Sequence, residues 1–330
     1  MNELHLDFYG IPFSIVSMDR STEPVFEWLR ADLEYFITDE PPERTPHRLI
    51  LYARDGEGIK HALMKTKMCE ASGWLGPRVC DYGDGTVAVL DTTAGVHEFL
   101  IYSRDLDRMF EVALVALLSA SGEALDQKGF HRVHAAGFVY RDRAHLLLLP
   151  EGRGKSSMSL LLMKNPEVRF FSDECPLLKD GMVYPFPLRF AVKPEVATLL
   201  GLKHAAQRIF RRKDFPNKVL FPVAPRRVAD PMRVETILLG RDGERPAFEE
   251  AGKMKTVDGL FRNMVVGLGL AQMREFMIRR GNAGSLFKIA TSRLHEAIEV
   301  SRHSRAFTFT VGPDPRPNFE ALRGFLESNR

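Results

Sequence analysis

Apolar and polar positions alternate over residues 5–11 as they do in a half-buried strand. Phe26, Leu29, Leu33 and Phe36 then fall at helical spacing, which predicts a helix over residues 26–36. Residues 48–53 and 86–91 are short β-rich runs, the second introduced by the turn signal Asp84-Gly85, and residues 96–103 form a further strand candidate. A helix expected over residues 106–125 carries apolar positions on most faces, the pattern of a buried or domain-joining helix.

A second organisation begins near Lys128-Gly129. Residues 132–140 read as a strand, Arg141-Asp142-Arg143 as a tight turn, and residues 145–149, ending in four leucines, as a second strand. A glycine loop follows, then a helix over residues 155–163 and a strand over residues 168–171 that runs into Ser172-Asp173-Glu174. Asp180-Gly181, between the runs 176–179 and 182–186, is a hairpin signal. Residues 204–233 are basic and punctuated by proline without clear periodicity, and read as a loop region. A strand over 234–239, helices over 257–280, 285–301 and 317–327, and a strand over 305–311 complete the pattern. It predicts an α/β chain with a smaller mixed α/β domain over residues 1–127 and a phosphate-loop domain with a helical C-terminal part over residues 128–330.

Composition adds boundaries rather than a function. A chain of 330 residues has length for about two domains, and 45% hydrophobic with 27% charged residues is ordinary for a globular protein, which excludes disordered and fibrous classes. The net charge of +3 gives no global basic field, and no nucleic-acid module is recognised, so a nucleic acid is not the expected partner. A small anionic ligand needs only a local basic patch. Cys69, Cys80 and Cys175 are widely separated and make no zinc spacing. With a first segment that lacks signal-peptide character and no apolar stretch near the ~20 residues of a membrane span, the expected location is the cytoplasm, away from membranes.

The sharpest chemistry lies at Gly152-Arg153-Gly154-Lys155-Ser156-Ser157, between a strand and a helix. Glycines let successive backbone amides curl around phosphates, and the helix N-terminus adds the positive end of its dipole. Lys155 would reach the β- and γ-phosphates of ATP, the Ser156 hydroxyl would hold Mg²⁺, and Arg153 would supply further charge. Leu149 stands where the G-x-x-x-x-G-K-[ST] motif has its first glycine. Asp173 and Glu174 end the next strand, where one acid can hold the metal and the other can take a proton from an attacking hydroxyl. His134 is either a proton carrier or phosphate contact, or a hydrogen-bonded core histidine; His131 is expected at the surface. Basic residues crowd the proline-bearing stretch, with Lys218 and Arg227 singled out as lid candidates, and Arg189 and Lys193 as candidates for holding transition-state charge.

The segments Val133-His134-Ala135-Ala136-Gly137, Leu148 through Ser157, Phe171-Ser172-Asp173-Glu174 and Tyr184-Pro185-Phe186-Pro187-Leu188 together resemble the HPr kinase/phosphorylase catalytic domain and the wider group of HPr-kinase-related proteins. The resemblance implies the phosphate-loop fold shared with phosphoenolpyruvate carboxykinase. It matches His134 to the family's histidine before the loop, Lys155 and Ser156 to its phosphate and metal contacts, and Asp173 to its catalytic aspartate, with Glu174 at the second acidic position. The expected activity is ATP- and Mg²⁺-dependent phosphorylation of a hydroxyl in a protein, peptide or metabolite, with homo-oligomer contacts open to the C-terminal helices. Leu149 and Glu174, which depart from the family pattern, motivate the alternative of a non-catalytic nucleotide-binding sensor or partner. A carboxykinase-type reaction on a 2-keto acid ranks below both.

Overall fold

The computed structural model of the chain describes residues 2–41, 47–56, 64–65, 70–72, 77–91, 97–150, 152–202, 208–211, 216–264 and 283–328. The chain divides into two compact units, one made of Met1–Lys128, Phe210–Lys218 and Ala271–Leu286, the other of Gly129–Ile209, Val219–Leu270 and Phe287–Arg330. Its class is mixed α/β. Among the described residues no helix is long and apolar enough to cross a membrane.

The first unit is built on an eight-stranded sheet ordered β1-β2-β3-β8-β7-β6-β5-β4. Its strands are β1 (Asn2–Asp7), β2 (Pro12–Ser17), β3 (His47–Tyr52), β4 (Met64–Lys65), β5 (Glu70–Ser72), β6 (Arg78–Asp81), β7 (Val87–Asp91) and β8 (His97–Tyr102). Helices α1 (Glu23–Asp32) and α2 (Leu106–Gln127) pack against this sheet and each other. Asp105 starts α2 by accepting the Arg108 amide at 3.1 Å, as an N-cap residue does, and most of that helix is buried, as its apolar faces require. The alternation over residues 5–11 is not one strand. Tyr9 and Gly10 take φ of 57° and 77°, the Asp7 carboxylate accepts the amides of Gly10 and Ile11, and the chain returns as β2 beside β1. The helix expected over residues 26–36 likewise starts earlier and closes at Asp32, leaving a single 3₁₀ turn at Glu34–Phe36.

The second unit holds β9 (His131–Arg132), β10 (Ala136–Tyr140), β11 (Arg143–Leu148), α3 (Lys155–Leu162), β12 (Arg169–Ser172), β13 (Leu177–Lys179), β14 (Met182–Tyr184), β15 (Phe190–Val192) and α4 (Pro194–Leu199). After β16 (Arg208–Phe210) come β17 (Lys218–Phe221), β18 (Met232–Asp242), β19 (Ala247–Glu250), α5 (Lys253–Met264), α6 (Ala283–His303), β20 (Arg305–Val311) and α7 (Pro315–Ser328). The long strand β18 is parallel to β11 on one side and to β20 on the other. Beyond β11 the sheet continues through β10 to β12, both steps antiparallel, so β12 points the same way as β11. The start of β18 also carries β14, which leads through β13 to β9.

Alternate residues of these strands feed two cores. Leu147, Leu149, Phe138, Phe170 and Leu238 meet Met158 and Leu160 of α3 and Leu322 and Leu326 of α7. Leu146, Leu148, Val139, Phe171 and Ile237 meet Leu260 of α5 and Ala297 and Val300 of α6. The sheet is therefore covered by helices on both faces, which is why its strands read as continuous apolar runs rather than clean alternation. The strand expected over residues 132–140 is interrupted. The Val133 amide bonds Pro176 O at 3.1 Å and the His134 amide bonds Asn263 O at 2.8 Å, so the chain leaves the ladder between β9 and β10. The region 204–233, expected as loop, contains β17, which pairs antiparallel with β15 at Phe190↔Phe221, Ala191↔Leu220 and Val192↔Val219. The helix expected over 257–280 is present as α5 to Met264; its remainder lies outside the described residues, as do Cys69, Arg212 and Lys213.

Candidate functional site

Because β11 and β12 run in the same direction, their carboxyl ends deliver two pieces of chemistry to one edge of the sheet: the glycine loop after β11 and the acidic pair after β12. Ligands of open α/β sheets sit outside such ends. Leu149 and Pro150 leave β11 across β18, where Gly240 makes the passage possible. A Cβ at Gly240 would lie 2.6 Å from Leu149 Cδ2 and 2.8 Å from both Leu148 O and Pro150 Cδ. Leu149 itself is core, 2% exposed, so the side chain that replaces the motif's first glycine points away from the loop's cavity side and into packing.

The loop then curls. Gly152 and Gly154 have φ of 78° and 82°, in the left-handed region that L side chains avoid, and the Arg153 amide closes on Pro150 O at 3.2 Å. No described residue accepts the amides of Gly152 or Gly154. The amides of Ser156 and Ser157 open α3 and have no carbonyl to reach within the helix; the first such bond is Met158 N to Gly154 O at 2.9 Å. Open amides on a curl at a helix N-terminus are the physical requirement for holding an anion. Glu151 lies outside the described residues.

Lys155 is nearly buried, and its Nζ lies 2.8 Å from His134 Nε2, within hydrogen-bond distance. His134 reaches it because the interruption between β9 and β10 pins its backbone to Asn263. Asp173 sits against the same helix. Burial pushes its carboxyl up to about 6, the Ser156 and Ser159 hydroxyls and the Lys155 ammonium pull it back, and Glu174 adds to the rise. Asp173 Oδ1 is buried with no hydrogen-bond partner among the described residues. Glu174 is half-buried, and the Ser172 hydroxyl accepts the amides of Glu174 at 3.3 Å and Cys175 at 3.1 Å, fixing the turn that presents the acids. Cys175 is free and buried, and its thiol is pushed up to about 12 by that burial, so it is an inert neighbour. A buried unpartnered carboxylate oxygen beside a serine hydroxyl, with a second acid adjacent, is a set of hard oxygen donors that suits Mg²⁺. Among the described residues no group of three or more His, Cys, Asp or Glu forms a metal cage, and a site that relies on phosphate oxygens needs none.

Gly152, Arg153, Gly154, Lys155, Ser156, Ser157, His134, Asp173 and Glu174 thus lie on or beside one loop-and-helix start. Other sequence candidates do not. The Arg227 guanidinium donates to Met163 O at 3.0 Å and Asn165 O at 2.8 Å, at the far end of α3, where it satisfies carbonyls the helix leaves open. Lys193 is exposed at the start of α4. Lys218 is half-buried, and no described contact joins it to the loop; Arg189 is half-buried between β14 and β15. His131, expected at the surface, is 1% exposed, with Nε2 bonded to Ser292 Oγ at 2.8 Å. Two residues escaped sequence reasoning. Ser159 faces Asp173 one turn after Ser156, a spacing that was visible in the sequence. Asp242, at the end of β18, holds Arg153 at 2.7 Å, and no local pattern signals it.

No protein-family model matches the chain, and no curated protein matches it. Fold and site alone define its class: an α/β protein whose central strand opens, through a glycine loop, onto a helix N-terminus flanked by a buried acid.

Proposed function

We propose that the chain is an ATP- and Mg²⁺-dependent kinase of the HPr-kinase-like type that phosphorylates a hydroxyl of a protein, peptide or small molecule. The observation that carries this reading is the convergence of Lys155, Ser156 and Asp173 at a curl whose amides are open. The amides of Gly152, Gly154, Ser156 and Ser157 bind the phosphate chain, and the Lys155 ammonium shifts from His134 to its β- and γ-oxygens. Ser156 and Glu174 would hold Mg²⁺, which when bound would neutralise phosphate charge and leave the Asp173 carboxylate free as the base. Asp173, half-ionised at about pH 6, is an acid whose basicity suits accepting a proton from the attacking hydroxyl near neutrality. Burial of Asp173 and Lys155 keeps water from that proton and from the transferred group.

The test is incubation of the protein with γ-labelled ATP and an acceptor pool from the source cell, with Asp173→Asn alongside. Labelled acceptor with the natural chain, and retained ATP binding without transfer in the variant, are expected. Transfer should also fall as pH drops through about 6, because protonated Asp173 cannot accept a proton from the attacking hydroxyl. Tight ATP binding with no transfer to any acceptor would favour the non-catalytic nucleotide-binding reading instead.

A further inference from the structure

The loop carries a second cation besides Lys155, and that cation is already engaged. Arg153 stands between the two left-handed glycines, and its guanidinium meets the Asp242 carboxylate at 2.7 Å. Asp242 is not a mobile partner. It ends β18, pairs with Val311 of β20, and is followed by the Gly243 amide bonding Val311 O at 3.0 Å. The same strand supplies Gly240, over which the loop leaves the sheet, so β18 fixes both the loop's root and the acid that holds its arginine. Both side chains are about half exposed, at 44% and 53%, so the pair is solvated and weak. A polyphosphate offers a guanidinium more negative charge than one solvated carboxylate does, and outcompetes it.

We propose that Asp242 is a built-in competitor of the phosphate loop: it holds Arg153 in the free protein, yields it to a bound polyphosphate, and thereby sets the loop's affinity. This rests on the anion-binding reading of the loop and adds its regulation by a residue outside the motif. The exchange has a consequence for selectivity. Ligands that leave Arg153 on Asp242 lose one phosphate contact, so the loop favours di- and triphosphates over a single phosphate group.

Calorimetric titration with Mg²⁺-pyrophosphate of the natural protein, Asp242→Asn, Arg153→Gln and the double variant tests it. Asp242→Asn should bind about two- to fivefold tighter, the range of an exposed ion pair, and Arg153→Gln more weakly. In the Arg153→Gln background the Asp242 substitution should have little effect. Unchanged or weaker binding by Asp242→Asn, or equal tightening with and without Arg153, would overturn the competitor role while leaving the phosphate loop intact. Absence of pyrophosphate binding in every protein, the natural one included, would overturn both.

Discussion

Asp173 carries a charge in a place that disfavours it. Its carboxyl titrates at about 6 against an ordinary 3.8, because burial outweighs the help of Ser156, Ser159 and Lys155. A folded pKa above the unfolded one means that the native protein keeps a proton the unfolded chain releases. Stability therefore falls as pH rises from about 3.8 through about 6, and stays at the lower level above that window. Asp173→Asn removes the charge and keeps the shape. It is expected to raise unfolding stability at neutral pH by about 1–3 kcal/mol in metal-free buffer, measured by urea denaturation, while abolishing transfer. Equal or lower stability in the variant would show that the carboxylate is better compensated than its surroundings indicate. The residue type and its place after an apolar run were legible in the sequence. Its burial was not, since that depends on α3 lying across the end of β12.

The loop and α3 act as one element with two ends. At its start, Gly154 has a left-handed φ of 82° and open space around a would-be Cβ, whose nearest neighbour is Pro315 Cβ at 3.9 Å. Gly154→Ala is therefore a backbone effect, costing about 1 kcal/mol and pulling the amides off their curl; polyphosphate affinity should drop severalfold in a calorimetric titration. At its far end, Arg227→Ala strips two carbonyls of a charged donor. A loss of about 1–2 kcal/mol in thermal unfolding is expected, with polyphosphate affinity nearly unchanged; a large affinity loss would return Arg227 to the role of a lid. This element was the most readable part of the chain, because a leucine run, two glycines and a helical apolar pattern each carry a local signal. The neighbouring strand over 132–140 misled because Val133 and His134 spend their amides on Pro176 and Asn263, residues far along the chain that no window reveals. The turn at Tyr9-Gly10 misled for a different reason, since a tyrosine at φ of 57° has no turn signature.

At the scale of the molecule, a mixed α/β class follows from the alternation of strand and helix patterns, and the helical layers on both faces of the second sheet follow from its doubly apolar strands. Sheet order was not legible: β18 lies between β11 and β20 because of long-range pairing, and β19, short and largely exposed, has little apolar signal. A ligand that binds only the folded chain stabilises the whole of it, by about 2.7 kcal/mol at a hundredfold excess over Kd. Mg²⁺-ATP should thus raise the thermal midpoint of the natural protein, and Lys155→Ala should abolish most of that rise. The most direct measurement of the central claim is a backbone-amide NMR titration of the natural chain with a non-hydrolysable ATP analogue and Mg²⁺. Large shifts at Gly152, Gly154, Ser156 and Ser157, saturating together with a single affinity, are expected. Saturating binding that leaves those four amides unmoved would contradict it.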